Sequence, residues 1–298
     1  MNIKKAALFG WGAYFVFLAV SQAYALDWKD LHERADQIDA VAARQLIQEN
    51  RDSLEGLYVL GLVYLNERKN AQALQLFDKM LGTDPDCIEA KWGRAEVLRR
   101  QRNIEESEKI LNEVIKEKRK FAPAYISLSY IKYMQMEFSE SVRLAYKVKN
   151  FGQDDVDLSN YTRAYLLIGG GKGMLAHYGG PVTKFMHGTG IYPNLKKAEK
   201  LQPDAPAVLF GLGSFYFLAP GVVGGDIDKA QDYLERAVKA DPDFADAYVR
   251  LAQVYRMKGD EQKYQRYIEK AFQLDPQNEL ALDEQSGECK FICISLSE

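Results

Sequence analysis

The residues of this chain that could do chemistry are few, and their spacing argues against most of the chemistry they suggest. The run Gly169-Gly170-Gly171-Lys172-Gly173 invites comparison with a phosphate-binding loop, which needs a further glycine upstream and a Ser or Thr after the lysine. Leu166 stands at the upstream position and Gly173 at the downstream one. No strand pattern precedes the run, so nucleotide binding is not expected. His32, His177 and His187 are the three histidines, and the last two flank the Gly-rich loop with no nearby Cys or acidic residue at zinc-ligand spacing. Asp154, Asp155 and Asp157 lack the glycine and the closing glutamate of a calcium loop. They read as a helix N-terminal cap, where carboxylates accept from unpaired backbone donors. No Ser, Cys or His sits in a nucleophile motif. The sequence therefore predicts neither an enzyme nor a metal or cofactor.

What must position any functional side chain is a repeat. Leu60-Gly61, Tyr64, Ala73, Phe77 and Pro85 recur at the same spacings as Leu251-Ala252, Tyr255, Tyr264, Ile268, Ala271 and Pro276, in a unit of about 34 residues. Two short amphipathic helices cannot bury their apolar faces alone, and stacking pair upon pair makes a continuous core. Small residues (Gly61, Ala73, Ala95, Ala237, Ala271) permit close approach, while Tyr64, Phe77, Leu111, Tyr255 and Ile268 fill the space between helices. Pro85, Pro242 and Pro276 each follow an Asp and end the second helix of a unit, because proline disfavours a helical conformation in the residue before it.

This pattern resembles the tetratricopeptide repeat family, and the resemblance implies an all-α, right-handed superhelical solenoid with a Gly-rich insertion. Six segments are expected: a signal peptide over 1–25, N-terminal capping helices over 26–53, repeats over 54–155, an insertion-bearing atypical repeat over 156–205, repeats over 206–278 and a tail over 279–298. Units begin at Leu54, Ile88 and Ala122. Arg94 and Ser107 depart from the apolar or small residues expected at their positions. A helix is expected from Leu158 to His177, then a Gly-rich loop, with helix resuming at Leu195. Asp226 is placed to cap the helix after the loop Ala219–Asp226.

The first 25 residues follow another logic. Lys4 and Lys5 precede an uncharged run from Ala6 to Val20, and small residues stand at Ala23 and Ala25. The run is short of the ~20 residues a membrane-spanning helix needs, which makes it a cleavable signal peptide with cleavage expected after Ala25. The alternative is an uncleaved anchor. On the first reading the protein is periplasmic or secreted, without a stable membrane span. Cys87, Cys289 and Cys293 are too sparse for a disulfide framework, although the last two could close a small local loop. The formal charge of −3 becomes −5 once Lys4 and Lys5 are removed, so nucleic acid is not an expected partner.

In a tetratricopeptide stack the first helix of each unit lines the concave groove. The register assigns Tyr58, Leu62, Trp92, Glu96, Arg99, Tyr130, Tyr133, Phe210, Phe217 and Arg256 to that face. Tyr, Trp and Arg dominate interface energetics, and the expected partner is a protein or peptide, with Arg99 and Arg256 free to orient an acidic group. The competing reading makes several of these residues packing contacts between helices. A second function stays open, in which the aromatic residues enclose a pocket for a small amphipathic ligand. The later half, with LFGLGSFYFLAP at 209–220 and GGDIDKAQDYLERAVKADPDF at 224–244, also resembles the T-component proteins of TRAP transporters. That resemblance implies a periplasmic solute-binding protein as partner.

Overall fold

The computed structural model describes residues 26–49 and 53–291; the expected signal peptide and Cys293 lie outside them. The described residues form helices α1 (Trp28–Ala35), α2 (Ala40–Glu49), α3 (Leu54–Asn66), α4 (Asn70–Thr83), α5 (Ile88–Arg100), α6 (Ile104–Glu117), α7 (Ala122–Met134) and α8 (Phe138–Phe151). There follow α9 (Leu158–Tyr178), α10 (Pro181–Gly188), α11 (Ile191–Leu201), α12 (Pro206–Leu218), α13 (Ile227–Ala240), α14 (Ala245–Met257), α15 (Glu261–Leu274) and α16 (Glu279–Ser286). A 3-10 turn, Gly221–Val223, precedes α13. No strand occurs among the described residues.

The predicted unit starts at Leu54, Ile88 and Ala122 coincide with the starts of α3, α5 and α7. Helices pack as consecutive hairpins (α3 with α4, α5 with α6, α7 with α8, α12 with α13, α14 with α15), and each second helix packs on the next first helix. Phe77 fills the interface as the pattern requires. A Cβ added at Gly61 would come within 2.6 Å of its ring, and one at Gly93 within 2.5 Å. The ring is wedged between α3 and α5 at two glycines, of which only Gly61 belongs to the recognised signature.

The turns have a physical account in sequence. Asp84, Asp241 and Asp275 each precede proline and are extended, with φ near −135°, −136° and −144°, as the proline ring demands. Each carboxylate accepts the N–H two residues on, at 3.0–3.1 Å, completing an Asx-turn. Within units, the first helix closes with a left-handed residue, Arg68, Arg102, Met136 or Gly259. The next residue's N–H reaches back five positions to Tyr64, Leu98, Lys132 or Tyr255 at 2.8–2.9 Å, a Schellman closure. The misfit residues also resolve. Ser107 is buried and donates to the Ala95 carbonyl at 2.8 Å, while Arg94 faces outward, 3.8 Å from Asp78.

One expectation is corrected. The segment after α9 is not a loop: Pro181–Gly188 is helical, and α11 starts at Ile191, four residues before Leu195. Helix α2 packs on α3, whereas α1 turns inward across the first helices of several units. The glycines of α9 are contact points, since a Cβ at Gly171 would meet Val142 of α8 at 2.5 Å and one at Gly169 would meet Leu195 of α11 at 2.9 Å.

The superhelix returns on itself. Arg68, in the α3–α4 turn, donates to both carboxylate oxygens of Asp241 at 2.9 and 2.6 Å. Arg102, in the α5–α6 turn, pairs with Glu279 at 3.0 Å and Asp275 at 3.3 Å.

Candidate binding surface on the concave face

First helices are interior and second helices exterior. Helix α3 buries every residue from Gly56 to Val63, while α4 buries only Ala73, Phe77 and Met80. The interior faces of the first helices are covered by the chain's own two ends.

At one end lies α1, started by the Asp27 side chain accepting from Asp30 N–H. The Trp28 ring meets Phe121 edge-on at 5.3 Å, and the His32 ring lies 5.7 Å from Tyr58 and 5.2 Å from Trp92. His32 Nε2 is 2.8 Å from the Tyr58 hydroxyl, and Ser159 Oγ donates to Asp36 at 2.5 Å. Helix α1 therefore touches the first helices of units beginning at α3, α5 and α9, as well as the entry to α7. Burial raises the Tyr58 phenol well above its ordinary value, and burial also lowers the His32 imidazole.

At the other end, Gly287 in left-handed conformation closes α16. The Asp283 carboxylate accepts the N–H groups of Lys290 and Phe291, each at 2.8 Å. This folds Phe291 inward until its ring stacks parallel to Tyr133 at 6.4 Å. Tyr178 donates to the Lys290 carbonyl at 2.8 Å. Cys289 in this segment is disulfide-bonded, and Cys87 is free and buried.

Between the two ends lies a polar network. Trp92 Nε1 donates to Ser127 Oγ at 3.1 Å, and Ser127 donates to Glu96 at 2.9 Å. Arg99 grips Glu96 through two bonds of 2.9 and 2.7 Å, and Arg100 adds a third at 2.9 Å. Burial alone would raise the Glu96 carboxyl, but the two guanidinium groups outweigh it and hold it far below the usual carboxylate range. Arg99 also lies 4.4 Å over the Tyr130 ring, a cation–π geometry. Tyr130 keeps 37% of its surface exposed, yet it is recessed enough that burial pushes its phenol up to about 12. Tyr133 beside it is also raised to about 12 by burial.

Family models of the tetratricopeptide repeat match residues 64–129 and 222–278. The chain carries tetratricopeptide repeats in those two stretches. It is similar to a chain of the APC/C hetero-tetramer Cut9–Hcn1, with 16% identity and TM-score 0.58, over 87% of this chain and 48% of the other. It thus spans about half of that chain's length. A tetratricopeptide repeat protein from Parabacteroides merdae is 15% identical with TM-score 0.53, over 86% of this chain and 96% of the other. Human IFIT1, solved as a dimer with m7Gppp-AAAA, is 17% identical with TM-score 0.57, over 85% and 58%. At such identities the likeness is one of fold. No curated protein matches the chain in sequence.

The structure places the predicted groove residues in four settings. Tyr58, Leu62, Trp92 and Phe217 are buried, the first three on helices that α1 crosses or adjoins and Phe217 in the packing of α12. They face the interior but are covered. Arg99 and Arg256 are not free to meet an acidic group: Arg99 is spent on Glu96, and Arg256 pairs with Glu284 at 2.7 Å while lying 4.8 Å from the Tyr264 ring. Phe210 is half-buried, 5.1 Å from Phe244, and Tyr133 lies under Phe291. Of the predicted set, Tyr130 alone is exposed. The covering residues, Trp28, His32 and Phe291, were missed because nothing local shows that a terminal helix turns inward.

The glycine–lysine run is an interior stretch of α9, not a loop, and Lys172 lies 5.6 Å from the Tyr146 ring. Asp157 and Asp226 are helix caps as expected, accepting from Asn160 N–H at 2.9 Å and from Lys229 N–H at 3.1 Å. Among the described residues no group of His, Cys, Asp and Glu is arranged to hold a metal, and no helix is long and apolar enough to cross a membrane. Surface hollows of about 560 and 410 Å³ are lined by Arg94, Leu98 and Asn103 and by Leu282, Ser286 and Phe291. Neither is formed by the predicted groove residues.

Proposed function

We propose that this protein is an exported scaffold of the cell envelope that holds another protein or peptide against its concave face by recognition alone. The observation that carries this is the recessed Arg99–Tyr130 stack, left uncovered between α1 and the C-terminal segment. An aromatic ring preorganised under a guanidinium offers large contact area with little ordering entropy. Export rests on the basic start at Lys4 and Lys5, the uncharged run and the small residues Ala23 and Ala25. The resemblance of residues 209–220 and 224–244 to TRAP-transporter T-components favours a solute-binding protein as partner.

The test is capture from envelope extract by the parent chain and by Tyr130→Ala, whose side chain fills no part of the core. One protein held by the parent and weakened by roughly thirtyfold or more in the variant, the loss typical of an interface hot spot, supports the reading. Equal capture by both chains removes the concave face as the docking site.

A further inference from the structure

We propose that the insertion around α10 is a membrane-association surface that lays an apolar helix on anionic lipid. The proposal does not depend on the concave face.

The argument begins with a helix turned inside out. In α10 the apolar side chains Val182, Phe185 and Met186 share one face, with spacing i, i+3, i+4. An ordinary surface helix turns that face to the core. Here it turns outward: Val182, Phe185 and Met186 are 73%, 76% and 65% exposed, and no residue of α10 is buried. Thr183 and His187, on the side away from Phe185, are the more covered, while Lys184 is exposed. Tyr178 and Tyr192, at the two junctions of the insertion, are exposed as well, and such rings suit the membrane–water boundary.

A second apolar projection follows in the next unit. The Tyr192 ring packs on Phe215 at 5.1 Å, and Phe215 lies beside Gly224. Gly224 closes the 3-10 turn that presents Val222 at 95% exposure. Two consecutive units thus carry insertions between their paired helices, and both display apolar side chains.

Charge selects the occupant. The chain is acidic overall, yet no Asp or Glu occurs between Asp157 and Glu199, while Lys172, Lys184 and Lys197 fall in that interval; Lys196 is paired with Glu199, and Arg163 acts on His32 towards the other end of α9. A protruding apolar helix in an acid-free, basic segment matches the anionic interface that amphipathic helices enter. A small ligand would call for a concavity, and α10 projects.

The test uses the full chain with Met186→Cys carrying an environment-sensitive fluorophore, and a control label at Glu113→Cys on the exterior of α6. Cys87 is buried and Cys289 is disulfide-bonded, so neither competes for the label. The readout is local to residue 186, so lipid binding through the run Ala6–Val20 does not mimic it. Vesicles of phosphatidylcholine with phosphatidylglycerol should shift the emission at 186 to the blue and leave that at 113 unchanged. Pure phosphatidylcholine should bind more weakly. Lys184→Gln should lower apparent affinity roughly fivefold, and Phe185→Ser should abolish the shift without touching the core. No shift at 186 with anionic vesicles, or an equal shift at 113, overturns the proposal. So does a shift that appears only on adding envelope protein without lipid, which would make this surface a protein-docking face.

Discussion

Arg68 and Asp241 lie 173 residues apart in the chain and meet through two parallel hydrogen bonds of 2.9 and 2.6 Å. Each sits at a turn the repeat demands: Arg68 is the left-handed closing residue of α3, and Asp241 is the extended residue before Pro242. The contact joins the exposed turn of one unit to that of another four units on. The Asp241 carboxylate raises the proton affinity of the guanidinium above its ordinary value, outweighing the opposing effect of partial burial.

Such pairs should set shape more than stability. Both partners remain partly exposed, and exposed ion pairs contribute about 0.2–1 kcal/mol. Arg68→Ala combined with Arg102→Ala should lower the unfolding free energy by no more than about 2 kcal/mol while raising the radius of gyration in small-angle scattering. In 1 M salt, where the Debye length falls to about 3 Å, the parent should move the same way. An unchanged radius in the double variant would mean that apolar packing, not these ion pairs, holds the superhelix closed.

Met136 occupies the same left-handed closing position as Arg68 and Arg102, with φ of 63°, but has no ion pair to retain it there. Glycine adopts that conformation without the steric cost of roughly 1–2 kcal/mol that other residues meet. Met136→Gly should therefore stabilise by up to about 1 kcal/mol in urea unfolding. Arg68→Gly should gain less, since it gives up the contact to Asp241. Equal gains at both positions would contradict the role given to the Arg68 pair.

The wedge at Phe77 separates packing from helix propensity. Phe77→Ala should cost about 3–5 kcal/mol, as for other buried aromatic truncations. Gly93→Ala places a methyl 2.5 Å from a ring already held on its other side by Gly61, so overpacking of about 1–3 kcal/mol should exceed the propensity gain of about 1 kcal/mol. Gly82→Ala, with nothing within 4 Å of the added Cβ, should stabilise instead. Calorimetry of the two glycine variants decides the matter, and opposite signs are required.

The fold was legible because its signals are local. Unit starts at Leu54, Ile88 and Ala122, Asp-Pro stops and the caps at Asp157 and Asp226 depend on neighbours within a few residues, and all stand where the sequence puts them. The register picks out residues of the first helices, and most of them are buried or half-buried. It gave no sign that the face is filled, because Trp28 meets Phe121 and Phe291 meets Tyr133 across distances that no periodicity encodes. Helix α10 reads as a loop in sequence because its glycine-rich borders look like loop sequence and its apolar residues have no core to face. Pro181 at its first turn was the available sign of a helix start.

His32 ties α1 to the interior, and its titration should report that attachment. Burial is the largest influence on the imidazole and lowers its pKa; Arg163 acts in the same sense, while Asp157, Asp36 and Glu89 oppose it without prevailing. A pKa depressed in the folded state means that the unfolded chain binds the proton more readily. The contribution of this residue is therefore full above the ordinary value of 6.5 and declines as pH falls below it, by at most about 1.4 kcal/mol per pH unit. Urea unfolding between pH 8 and 5, followed by tryptophan fluorescence from Trp28 and Trp92, should show midpoints that fall on acidification. His32→Gln, which keeps a polar group within reach of the Tyr58 hydroxyl, should flatten the fall between pH 6.5 and 5 while lowering stability at pH 8. If the variant keeps the parent's slope, the acid sensitivity arises elsewhere and α1 is held by Trp28 and Leu31 packing alone.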